Sequence, residues 1–191
     1  MSGGGHEVAE EIEHAAHSSK GIALLIAILA LFLAFASALG KGAQTEAISQ
    51  NVEASNLWAF YQAKSIRRTT LTTAANVLAT DPSRKTDADT QKQIQAFNKT
   101  AARYTSDPDT KEGTKELAER AKAAEEKRDT SMAKYHLFEI SSAAIEIGIV
   151  LSSATIITGI VALAWIAGGL GFVGVVIMGI ALFAPHSVHL F

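Results

Sequence analysis

The sequence contains no cysteine, which excludes disulfides, thiolate chemistry and Cys-ligated metals. Proline is nearly as scarce. Pro82, Pro108 and Pro185 are the only three, so nothing before residue 81 obliges a helix to stop. No surplus of one charge sign exists either: 17 lysines and arginines face 19 aspartates and glutamates, and within residues 41–140 the count is sixteen against fourteen. That balance gives no basis for binding nucleic acid or an acidic substrate. Catalytic patterns are missing as well. There is no glycine-rich phosphate loop, no H-E-x-x-H and no nucleophile elbow, and the glycines of residues 168–179 do not follow a strand as a dinucleotide fingerprint would. The expectation is a protein that is not an enzyme and carries neither cofactor nor metal.

What the sequence does have is apolar residues gathered at its two ends, with all but one Lys or Arg lying between Lys41 and Lys134. Such segregation is the composition of a membrane protein with an extramembrane insert. Residues 21–39 carry no charge, and at about 1.5 Å per residue they cover a bilayer core of roughly 30 Å. Lys20, this run and Ala36-Ser37-Ala38 together resemble a signal peptide, but the run exceeds a normal h-region, so an uncleaved anchor is expected. Ala23, Ala27, Ala30 and Ala34, with Ser37, fall on one stripe, the pattern by which membrane helices approach closely. The register continues through Ile48, Ser55, Gln62 and Ser65, so one helix is expected to leave the membrane and run to about residue 79. Trp58, Phe60 and Tyr61 form an aromatic cluster on it, and Val52, Leu57, Ile66 and Leu71 leave it apolar on more than one side. Asn51, Trp58, Phe60, Tyr61, Gln62 and Ile66 are accordingly the residues expected to pack helices and join subunits.

Ahead of the anchor, residues 1–20 combine a glycine-rich start with a short acidic helix on which Glu10, Glu13, His14 and His17 share a face. A divalent metal would find ligands there; the plainer reading is a solvated helix. Residues 81–85 read as a turn, residues 87–105 as a short helix with the stripe Ile94, Phe97, Ala101 and Tyr104. From Thr110, with Gly113 in its first turn, a charged helix with the seam Leu117, Ala121, Ala124, Met132 and Tyr135 runs on into a second apolar stretch, residues 141–167. Gly148, Ser152, Thr155, Gly159 and Ala162 form a small stripe there that suits close pairing with the first span. Gly168-Gly169-Leu170-Gly171 reads as a tight turn, and residues 170–191 as a third segment, either spanning or re-entrant. Glu146 is the one ionisable residue of the long apolar blocks. With a span ending at Ala167 it lies at the interface and snorkels; an ion site is the alternative. His136, beside Tyr135 and Glu139, reads as a headgroup-level polar residue, with pH sensing as its alternative. His186 and His189 are a weak metal signal.

The run Gln50-Asn51, Ala54-Ser55, Trp58-Ala59 and Tyr61-Gln62-Ala63-Lys64-Ser65-Ile66 resembles a bacterial membrane-protein family known as a domain of unknown function, number four-three-three-seven. The HAAH of residues 14–17 and the IEIGIVLSSATI of the second span are similar to it too. The resemblance implies a helical protein of the bacterial inner membrane with no established activity or catalytic residues. The chain departs from the family in carrying Glu146 where glutamine is more usual, and in an uncharged turn before the last span. Basic residues near the membrane ends favour a cytoplasmic central domain, whereas the family's basic turn places it in the periplasm; both orientations stay open.

These readings combine into an all-α membrane protein of three transmembrane helices, with a long antiparallel helical hairpin, residues 40–140, inserted between the first and second. The expected role is a self-associating scaffold or interaction module, homo-oligomeric, in contact with the lipid bilayer and with another membrane complex as a further candidate partner. The alternative is an oligomeric channel, a transporter accessory or an ion- or pH-responsive membrane protein.

Overall fold

The computed structural model describes the backbone of residues 4–83 and 86–187, and side chains from residue 20 onward within those ranges. Among the described residues there are four helices and no strand: α1 (Gly4–Thr80), α2 (Ala88–Thr105), α3 (Thr114–Thr158) and α4 (Val161–Phe183). Three of them, α1 within Lys20–Thr80, α3 and α4, are long and apolar enough to cross a membrane.

The continuity of α1 follows from what it lacks. Without proline, and with Gly40 and Gly42 each costing only about 1 kcal/mol of helix propensity, nothing breaks it before Asp81. The acidic N-terminal segment is joined to the apolar run rather than forming a helix of its own. In the threonine-rich end of α1, Thr69, Thr70 and Thr72 donate to the carbonyls of Ser65, Ile66 and Arg68 four residues back, which satisfies their hydroxyls without interrupting the helix.

The chain forms two compact units, one of α1 up to Glu46 with Thr130–Phe191, the other Ala47–Asp129. The second, polar unit packs α1 and α3 about Leu57, Leu117 and Ala121, with Trp58 and Tyr61 against them, while α2 meets α1 where Lys64 lies over the Tyr104 ring. Asp87 caps α2 by accepting from the Thr90 N–H at 2.9 Å. Gly113 lies just before α3 instead of within its first turn. Its carbonyl accepts from the Leu117 N–H at 2.9 Å, the cap position. A Cβ there would stand 2.6 Å from the Asp107 nitrogen and from Ser106 Cα, so only glycine fits.

In the first, apolar unit the chain reverses at Gly159 and Ile160, and Gly159 takes the left-handed φ of +72°. The turn expected at residues 168–171 is therefore misplaced, and the second apolar stretch ends at Thr158 instead of Ala167. Those glycines are helical, and two of α4's serve as holes for neighbouring side chains. A Cβ on Gly171 would strike Leu29 Cδ2, and one on Gly174 would lie 2.6 Å from Ile145 Cγ1. Ser141 Oγ donates to the Gly174 carbonyl at 2.7 Å, fastening α3 to α4. The third segment thus has 23 helical residues, enough for a span.

The alanine stripe also needs correcting. Ala23, Ala27, Ala30 and Ala34 are all exposed; α1 buries Leu29, Ala36 and Gly40 instead. Leu29 enters the notch between Gly148 and Gly171, because a leucine knob in a glycine hole makes more contact than alanine against alanine. Of α3's stripe, Gly148, Ser152 and Thr155 are buried, while Gly159 and Ala162 lie beyond the end of α3 and are exposed.

Candidate functional site

Within the polar unit α1 presents two contrasting faces. Its inner face is bonded to α3 at several levels. Trp58 Nε1 donates to Glu125 Oε1 at 2.9 Å, and its ring meets Tyr61 edge-on at 5.4 Å. Arg128 Nη1 donates to Asn51 Oδ1 at 3.4 Å, and Arg120 lies 3.8 Å from Glu53. Lys64 is the least expected member. Its side chain is only 12% exposed, its ammonium sits 5.1 Å over the Phe60 ring and 5.3 Å over that of Tyr104, and it pairs with Glu112 at 3.2 Å. Two ring faces and one carboxylate replace the water it gave up. The predicted aromatic cluster is thus divided: Trp58 and Tyr61 pack in the core, and Phe60 lies under Lys64.

The outer face is different. At about 100° per residue, Ile48, Val52, Ala59, Ile66 and Val77 fall along one line opposite the buried Leu57 and Ala75, and Gln62 lies beside it. Ile66 is 67% exposed, and Ile48, Val52 and Val77 are exposed comparably. Every charged residue of α1 from 44 to 80 (Glu46, Glu53, Lys64, Arg67, Arg68) is turned at least about 80° away from the middle of that line. On α3 the exposed residues of the same unit include Lys115, Glu119, Lys122, Glu126 and Lys127, as a solvated surface should.

The turn between α2 and α3 is electrostatically organised. Arg103 holds the Asp107 carboxyl below its ordinary value of 3.8, chiefly through their hydrogen bond at 3.1 Å. The Ser106 hydroxyl, at 2.5 Å, holds Glu116 below its ordinary 4.5. Folded values below the unfolded ones mean that folding favours the ionised forms. Their stabilisation is complete above the ordinary values and is lost as pH falls through the folded ones. The melting temperature of the full chain, followed by circular dichroism, is expected to fall more steeply below pH 4.5 than in Asp107→Asn/Glu116→Gln.

The remaining expected site residues are scattered. Glu146 is exposed on α3, turned out from the three-helix contact. His136 Nδ1 lies 3.9 Å from Glu139, whose other oxygen accepts from the Tyr135 hydroxyl at 3.2 Å. The Glu139 charge raises the Tyr135 phenol above its usual value, keeping it a donor. His186 faces Thr130 at 3.0 Å. The side chains of Glu10, Glu13, His14 and His17, and all of His189, lie outside the described residues; among the described ones no group of three or more acids and histidines is placed to hold a metal.

The model of the family described as a domain of unknown function, DUF4337, matches residues 18–184. The chain belongs to this family. No curated protein and no solved structure matches it. In this DUF4337 chain the residues that carry the resemblance divide between the two faces: Trp58, Tyr61 and Lys64 on the inner, Gln62 and Ile66 on the outer. Sequence reading missed Lys64, Glu125 and Leu29. The signal for Lys64 was its place on the buried spacing Leu57, Tyr61, Lys64, Arg68, Leu71 and Ala75.

Proposed function

We propose that this protein is a non-enzymatic membrane scaffold, anchored by three spans, whose polar unit is an extramembrane helical hairpin that joins further copies of itself through the outer face of α1. The observation carrying the reading is the uncharged line Ile48, Val52, Ala59, Ile66 and Val77. It extends about 44 Å along the helix in a unit whose other surface is highly charged. A face without charges favours a partner face without charges, because a charged partner would lose hydration with nothing to pair. Copies inserted in one bilayer in one orientation present the same face at the same level, so the line is self-complementary in parallel. Purified full-length protein in mild detergent is expected to run as a dimer or larger assembly by mass photometry. Val52→Glu/Ile66→Glu, with helical content unchanged, is expected to shift it to monomer. A monomeric parent protein would overturn the reading.

Glu146 supports a second reading. With α3 ending at Thr158, a span of about 20 residues begins near residue 139. Glu146 then lies about 10 Å inside it, deeper than a span ending at Ala167 implies. Intramembrane carboxylates commonly line ion pathways, and an assembly enclosing such a pathway would place Glu146 on it. A bilayer conductance abolished by Glu146→Gln would favour this reading over the scaffold.

A further inference from the structure

Within the apolar unit a groove of about 260 Å³ lies between residues 36–44 of α1 and 135–142 of α3. Its floor is formed by small and apolar groups. Gly40 and Phe138 are buried, and a Cβ on Gly40 would stand 3.3 Å from Phe138 Cβ. Glycine at 40 thus lets α1 and α3 approach closely beneath the groove. Lys41 and Gln44 line it from α1, Tyr135 and Glu139 from α3.

Its level in the molecule is fixed by the sequence. The charge-free run of α1 ends at Leu39, and Glu139 is the last charged residue of α3 before a span that closes at Thr158. The groove therefore lies where hydrocarbon gives way to headgroups. Its volume is below the roughly 300–1,000 Å³ of pockets that enclose a whole drug-sized ligand. It suits a headgroup whose chains remain in the bilayer.

The two charges on the groove have opposite signs and form no ion pair with each other among the described residues. A lysine ammonium is a point donor to phosphate. The carboxylate of Glu139 accepts from Tyr135 at one oxygen, and His136 Nδ1 stands 3.9 Å from the other, beyond hydrogen-bond reach, so that oxygen can still take a second donor. A ligand carrying a phosphate and, one short link away, a primary ammonium would meet both. A choline headgroup has no N–H to offer Glu139, and a glycerol headgroup leaves that carboxylate without a cation. We propose that the groove binds the headgroup of a phosphatidylethanolamine-type lipid, phosphate toward Lys41 and ammonium toward Glu139.

The test is native mass spectrometry of the full-length protein released from bilayers holding equal parts of dioleoyl phosphatidylethanolamine, phosphatidylcholine and phosphatidylglycerol. Retention of the ethanolamine lipid is expected to exceed that of the choline lipid by about tenfold, the scale of one hydrogen bond to a charged group. Glu139→Gln is expected to remove that preference while leaving phosphatidylglycerol unchanged, and Lys41→Gln to lower retention of both. Ser142→Trp, which fills the groove without altering its charges, is expected to abolish all three. Every substituted position is exposed or half-buried, and the melting temperature of each variant serves as the folding control. Equal retention of the ethanolamine and choline lipids, or a preference that survives Glu139→Gln, overturns the proposal. Free phosphoethanolamine or inorganic phosphate competing as well as the lipid would overturn the assignment to a lipid.

Discussion

Trp58→Ala is expected to destabilise the protein by about 3 kcal/mol, the low end for aromatic truncations, because the ring is half-buried against the core. The indole packs on Leu57, Leu117 and Ala121, meets Tyr61 edge-on and donates to Glu125. Removing it uncovers one side of the Leu57, Leu117 and Ala121 cluster and leaves a half-buried carboxylate to find water. Trp58→Phe separates these contributions. It keeps the packing, loses the hydrogen bond, and is expected to cost about 1 kcal/mol. Urea unfolding of the full chain in detergent, read by circular dichroism at 222 nm, measures both. Equal losses for the two variants would mean that the bond to Glu125, rather than the ring, holds α1 to α3.

The second large effect is expected in the apolar unit. Leu29→Ala removes the side chain lodged between Gly148 and Gly171, and is expected to cost about 2 kcal/mol, the low end of leucine truncations. The low end applies because lipid solvates the leucine in both states, so only packing is lost. Gly171→Ala drives a methyl group into Leu29 and is expected to cost about 1–3 kcal/mol by overpacking. In the double variant the new methyl occupies space that Leu29 has vacated. Its loss is expected to fall short of the sum by about 1 kcal/mol or more. Unfolding by sodium dodecyl sulfate in mixed micelles gives the cycle. Strict additivity would show that Leu29 and Gly171 do not touch.

What the sequence made legible was what each helix decides for itself. Helices carry their own backbone hydrogen bonds, so absent prolines, the Asp87 cap and the spacing of Ile94, Phe97, Ala101 and Tyr104 suffice to place α1 and α2. The long run of α3 through its change of composition was legible for the same reason. Partnership between helices was not. Two small-residue stripes of matching spacing suggest each other, yet α1 gives its alanines to the outside and a leucine to the inside. Which face wins depends on holes in α3 and α4 that no single helix reveals. The glycine cluster of residues 168–171 misled in a similar way, since glycine marks both a turn and a close helix contact. Lys64 was hidden because hydropathy assigns every lysine to solvent, whereas two aromatic faces and Glu112 make an inner position tenable.

The reversal at Gly159 and Ile160 bears on how the chain enters lipid. With two residues between α3 and α4, and with the Ile160 N–H engaged by Thr158 Oγ1 and its carbonyl by the Leu163 N–H, the hairpin tip carries few polar groups across the hydrocarbon unsatisfied. If both limbs span, so short a link is expected to make them insert as one hairpin. The same short link holds Ser141 beside the Gly174 carbonyl and Gly148 beside Gly171, so the notch that takes Leu29 is built from a single hairpin.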